Sequence, residues 1–97
     1  MADRTRFEWD PRKSEANRRK HGIDFRFASR VFYDSLKQLD IEGDEHGEIR
    51  WRTIGEINGK LYVVSHTTRE EGEEEVHRII TARKATPSDR AAFEETS

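Results

Sequence analysis

The chain has 97 residues, no cysteine, 39% charged and 32% apolar residues, and a formal net charge of −2. These figures exclude a disulfide framework, a thiolate metal centre, a membrane-spanning helix and a uniformly basic nucleic-acid binder. They set the expectation of one domain over 1–97, soluble and cytoplasmic, with no secretory leader. Charge is nevertheless segregated. Arg4 to Arg30 carries nine Arg/Lys against four acids, Asp40 to Glu48 carries five acids, and Glu70 to Glu75 five more. A near-neutral protein with such a field can still hold a local anion site.

In chain order, residues 7–10 (FEWD) read as a short strand. Asp10 as N-cap and Pro11 at the first helical position predict a helix to about residue 21, and Gly22 is its left-handed stop. Its one apolar side chain is Ala16, so the helix is expected to be mostly solvated, with Lys13, Asn17, Lys20 and His21 on one side. Asp24 caps a second helix in which Phe25, Ala28 and Phe32, with Phe27 and Val31 beside them, give a core-facing stripe. A strand over 36–41, a turn over 43–48 and a strand over 49–57 follow. Asn58-Gly59 is a type I′ hairpin signal, with a partner strand over 60–68. A Glu-rich turn leads to a last strand over 76–83. Thr86, Pro87, Ser88 and Asp89 form a capping box for a short C-terminal helix. The order β-α-α-β-β-β-β-α predicts an α+β domain with an antiparallel sheet of about four strands, two N-terminal helices and one C-terminal helix.

The two-residue turn sets Ile57 opposite Lys60. One face of the hairpin then carries Arg50, Arg52, Ile54, Leu61 and Val63. The other carries Ile49, Trp51, Thr53, Tyr62, Val64 and His66, and is apolar enough to take a helix layer. In the absence of a bulge, Arg50, Arg52 and Arg69 converge near one sheet edge. Regular alternation in the last strand puts Ile79, Thr81 and Arg83 on one face and Arg78, Ile80 and Ala82 on the other; the long turn leaves its register open.

The segments FEWDPRKSEANRRKHGIDF, RWRTIG, LYVV, RIITARKAT and the C-terminal DR..FEE resemble the BrnT toxins over about residues 7–95. The resemblance implies a RelE-like fold and a ribonuclease that stops translation. It also implies a small antitoxin partner, BrnA, in a two-plus-two complex that binds its own operator. Lys13, Asn17, Lys20 and His21 match the family's first-helix motif, and Arg69, Arg78 and Arg83 its late-strand arginines. The chain departs from the family pattern at Phe93, where Tyr is frequent, at Thr81, where Ser is common, and in its longer Glu-rich turn.

RNA can be cleaved without metal or cofactor when the 2′-oxygen attacks the adjacent phosphorus in line. A site must then move two protons and stabilise phosphoryl charge. Arginine suits the charge and histidine the protons. The candidates for catalysis are Arg83, Arg69, His21 and Lys20. Those for RNA binding are Lys13, Asn17, Arg50, Arg52, Arg78 and Lys84. His66 is a weaker acid–base candidate and reads more simply as a core histidine, while His46 and His77 lack partners at metal-ligand spacing. Two other readings stay open: a noncatalytic binding module whose basic patch docks an acidic partner, and a DNA-binding accessory protein. The latter is disfavoured by the lack of a helix-turn-helix.

Overall fold

A computed structural model describes residues 4–45 and 47–96, so His46 lies outside the described residues. The elements are β1 (Arg4–Glu8), α1 (Pro11–His21), α2 (Phe25–Ala28), a 3-10 segment (Ser29–Tyr33), β2 (Gln38–Glu45), β3 (Glu48–Ile57), β4 (Lys60–Glu71), β5 (Glu74–Lys84) and α3 (Pro87–Thr96). The order matches expectation, but the sheet has five strands in the order β1-β5-β4-β3-β2. The N-terminal strand joins it by pairing parallel to β5, so the sheet is mixed rather than purely antiparallel. The second helix is shorter than its apolar stripe suggested. Its α-helical part ends at Ala28, and the chain tightens to a 3-10 path through Ser29–Tyr33.

The hairpin register is as expected, from Ile57 opposite Lys60 to Trp51 opposite His66. Asn58 (φ 51°) and Gly59 (φ 84°) adopt the positive φ values of a type I′ turn. The front face receives α1, α2 and the 3-10 segment. There Phe25, Ala28, Val31 and Phe32 pack with Tyr62, Val64, Ile79 and Ala82. Gly55 permits this layer to lie close, since a Cβ on it would stand 2.8 Å from the Val31 carbonyl oxygen. On the back face, Ile54, Leu61 and Val63 pack with Ala85 and Phe93, at and beyond the entry to α3. The capping box forms: Asp89 N–H donates to Thr86 Oγ1 at 3.1 Å, and Thr86 N–H to Asp89 Oδ2 at 2.8 Å.

Two regions depart from the sequence reading. The Glu-rich turn is instead an extension of β4 and β5 that sets Glu70 opposite Glu75 and Glu71 opposite Glu74. Like charges directly opposite are unfavourable; Arg6 compensates by pairing with Glu71 and Glu74, and Arg69 by pairing with Glu71. In β5, Thr81 pairs with Ser65 but Ile79 pairs with His66, so Ile80 is an extra residue, a β-bulge. The alternation changes phase there. Ile79 joins Ala82 on the front face, and Arg78 joins Thr81 and Arg83 on the back, contrary to regular alternation.

The solvated first helix is anchored by two polar side chains rather than by Ala16. Ser14 Oγ accepts the Phe25 N–H at 2.9 Å. Asn17 is buried and donates to the carbonyls of Ile23 and Ala82, both at 2.9 Å, while accepting the Ala82 N–H at 3.1 Å. Asn17, expected on RNA, has its amide committed to binding α1 to β5.

Candidate functional site

The charged side chains separate into distinct groups. At one end of the front face, α1, the start of β4 and the end of β5 enclose a cleft of about 410 Å³ lined by Arg18, His21, Lys60, Tyr62 and Lys84, among others. Gly22 (φ 81°) ends α1 by donating its N–H to the Arg18 carbonyl at 2.8 Å, which leaves His21 at the rim. The type I′ turn delivers Lys60, and pairing with Tyr62 delivers Lys84 to the same face. Arg18 is held by Glu15 at 2.6 Å, and the lining Asp24 caps α2 by accepting the Phe27 N–H at 2.8 Å. His21, Lys60 and Lys84 thus remain without an acidic partner among the described residues.

Arg83 lies on the opposite face from its neighbour Lys84. Its Nη1 meets Asp89 Oδ2 at 2.6 Å and ties the end of β5 to α3. Arg83 holds the Asp89 carboxyl down at about 2, helped by the Thr86 amide and hydroxyl. Arg69 does not share a groove with it. Arg83 pairs with Val63, and Arg69 lies six residues further along β4, about 20 Å at strand rise. Arg69 and Arg78 instead clamp Glu8 at 2.5 and 2.9 Å, and Arg69 and then Arg78 depress its pKa. Arg50 approaches Glu42 at 3.9 Å and Arg52 approaches Asp40 at 4.0 Å. Arg52 Nε is buried with no partner among the described side chains. Lys13 and Lys20 are exposed on α1.

Of the ten candidates, His21 and Lys84 line one cleft; Arg50, Arg52, Arg69 and Arg78 share the back face, each beside a carboxylate, and Arg83 lies apart from Arg69. Lys60 was missed. The hairpin register already placed it on the same face as Tyr62, and a strand-terminal lysine facing the helix layer was the available signal.

A second cleft, of about 430 Å³, lies at the other end of the front face, lined by Phe32, Tyr33, Leu39, Trp51, His66 and His77, among others. His66 and His77 are both buried. Burial and then the neighbouring His77 push His66 down to about 4; burial also lowers His77, against the pull of Glu75. Both rings are neutral at neutral pH, and this fixes a directional chain. Glu75 Oε1 only accepts, so it takes the His77 Nε2–H at 2.9 Å. His77 Nδ1 then accepts the Thr68 hydroxyl at 2.8 Å, and Thr68 Oγ1 accepts the His66 Nδ1–H at 3.1 Å. His66 Nε2 accepts the Thr53 hydroxyl at 2.7 Å. The sequence offered His66 only as a core histidine or weak base. Its pairing with His77 through Thr68 depends on the bulge, which brings His77 to the front.

A mixed five-stranded sheet with helices on its front face and a lysine-lined cleft at one end defines a small α+β domain. The family model described as "Ribonuclease toxin, BrnT, of type II toxin-antitoxin system" matches residues 9–89, and the chain belongs to that family. No curated protein matches it. No helix among the described residues is long and apolar enough to cross a membrane.

Proposed function

We propose that the chain is a cytoplasmic endoribonuclease that cleaves RNA without a metal ion, thereby inhibits translation, and is neutralised by a BrnA-like antitoxin in a two-plus-two complex. The observation that carries the catalytic part is the cleft holding His21, Lys60 and Lys84 together. In-line attack by the 2′-oxygen needs a cationic cradle for the phosphoryl oxygens and a group for proton transfer. Lys60 and Lys84 serve the first and His21 the second. Lys20 and Lys13, exposed on the same helix, contact the flanking backbone. Arg83, Arg69, Arg78, Arg50 and Arg52 would have to leave carboxylates to reach phosphate, so we place them outside the cleavage step, with Arg83 holding the β5–α3 junction.

The test is cleavage of end-labelled RNA in EDTA by the wild-type chain beside His21→Ala, Lys84→Glu and Arg83→Ala. Expected is a loss of about tenfold or more for His21→Ala and Lys84→Glu, with Arg83→Ala nearly unaffected. Equal cutting by all four proteins overturns the site. A second reading, a noncatalytic docking module, is favoured by the neutralisation of so many arginines within the fold. It predicts no growth arrest when the chain is expressed alone, whereas the ribonuclease reading predicts arrest relieved by Lys84→Glu.

A further inference from the structure

The histidine-lined cleft opens onto an exposed apolar surface. Tyr33, Leu36, Leu39, Ile41 and Ile49 are exposed large apolar side chains, and half-buried Trp51 lies among them. Leu36 apart, they are contiguous through the sheet: Tyr33, Leu39 and Trp51 line the cleft, Leu39 pairs with Thr53, Ile41 pairs with Trp51, and Ile49 lies two residues before Trp51 on the same face. Isolated exposed apolar residues need no explanation, but a contiguous patch leading into an apolar cleft marks a docking surface. Two of its members sit on β2, which is an edge strand. Natural edge strands normally carry charge on such positions.

The rim decides what docks. Asp44 lies opposite Ile49, and Glu70 lies opposite Glu75, itself a lining residue. Lys37 is the one cation among the lining residues. The hairpin tips flanking this end are the two acidic runs of the sequence. A phosphate backbone is repelled here, while it is attracted to the His21–Lys60–Lys84 cleft at the other end. Away from Lys37 and Glu75 the lining is aromatic and aliphatic side chains with neutral His66 and His77, and it suits an apolar anchor.

We propose that this surface docks the antitoxin, through a segment whose apolar side chains enter the cleft and whose flanking Lys or Arg side chains meet Asp44, Glu70 and Glu75. The inference rests on the toxin reading for the identity of the partner. It separates the inhibitor's seat from the RNA cleft, so neutralisation acts by covering the chain from the acidic end rather than by filling the cationic cleft.

The experiment uses the full chain and a purified BrnA-like antitoxin, mixed in a calorimeter. The probe variants are Leu39→Asp with Ile41→Asp, and separately Glu70→Lys. Leu39 and Ile41 are 59% and 62% exposed, so the fold tolerates the change; far-ultraviolet circular dichroism and the melting temperature verify this. Expected is a loss of antitoxin affinity of about tenfold or more for the double variant and a smaller, salt-dependent loss for Glu70→Lys. RNA cleavage by the double variant stays at the wild-type level. Unchanged antitoxin affinity, absence of binding by the wild-type chain, or loss of RNA binding in the double variant each overturns the proposal. Absence of RNA cleavage by the wild-type chain, with the affinity losses intact, would sink the ribonuclease reading and leave the docking surface standing.

Discussion

The two clefts flank the same helical layer and are made of opposite materials. The one beside α1 is bounded by residues at element ends, His21 at a helix C-terminus and Lys60 and Lys84 at strand termini. The lysines there carry charge because water reaches their tips. The other is bounded by residues within long strands, His66, Thr68 and His77, under Phe32. There the polar groups are neutral and satisfy one another in a closed chain. Burial, set by position along an element, keeps the two histidines neutral.

The strongest way to break this contrast is to release α1 from the sheet. Asn17→Ala leaves the Ala82 amide and carbonyl and the Ile23 carbonyl without their partner. Each orphaned buried group costs about 1–3 kcal/mol, so urea denaturation should show a loss of about 3 kcal/mol or more. Cleavage should fall with it, because His21 rides on the same helix.

Acid sharpens the contrast next. The folded pKa of His66 is depressed from 6.5 to about 4. The unfolded chain therefore takes up the proton first, and stability present above pH 6.5 is lost as pH falls toward about 4. His77 is lowered in the same direction. At 1.36 kcal/mol per pH unit the His66 contribution is about 3 kcal/mol. Asp89, held at about 2 against an ordinary 3.8, contributes stability present above 3.8 that is lost as pH falls through about 2. Urea midpoints measured from pH 7 to pH 2 should fall in two stages, and His66→Phe should diminish the first while sparing the second.

Arg83→Ala is expected to have the smallest effect. The Arg83 side chain is 38% exposed, so solvent screens its pair with Asp89, and the loss is below about 1 kcal/mol by chemical denaturation. Asp89 titration followed by NMR should move upward. A loss of several kcal/mol would mean that α3 is docked chiefly by this pair rather than by Phe93.

Much of the fold was legible. The Asp10–Pro11 start, the Gly22 stop, the Asn58-Gly59 turn and the Thr86–Asp89 box are local signals, and each formed as read. The hairpin register followed by counting from one turn. What escaped was nonlocal. The pairing of β1 with β5 joins residues 70 apart in the chain, and the acidic strand extension is offset by Arg6, which arrives from β1, and by Arg69 within β4. For the site, residue types pointed to arginines on phosphate, but a sequence does not say which arginines already face a carboxylate. His21 was marked by motif resemblance and Lys84 as a basic residue at a strand end, while the histidine chain required knowledge of where β5 changes phase.

That change of phase has a consequence for how the protein tolerates altered length. Ile80 divides β5 into two halves that present opposite parities to the sheet: Ala82 and Lys84 face front from one, His77 and Ile79 from the other. Drawing Ile80 into a regular ladder would turn one half over, moving His77 and Glu75 to the back or Ala82 and Lys84 away from α1. Excising Ile80 would do the reverse: Thr81 would follow Ile79 in plain alternation, and every other side chain of β5 would keep its present face. The strand can therefore lose this one residue and still furnish both clefts, whereas loss of any single neighbour would force the bulge to move or close.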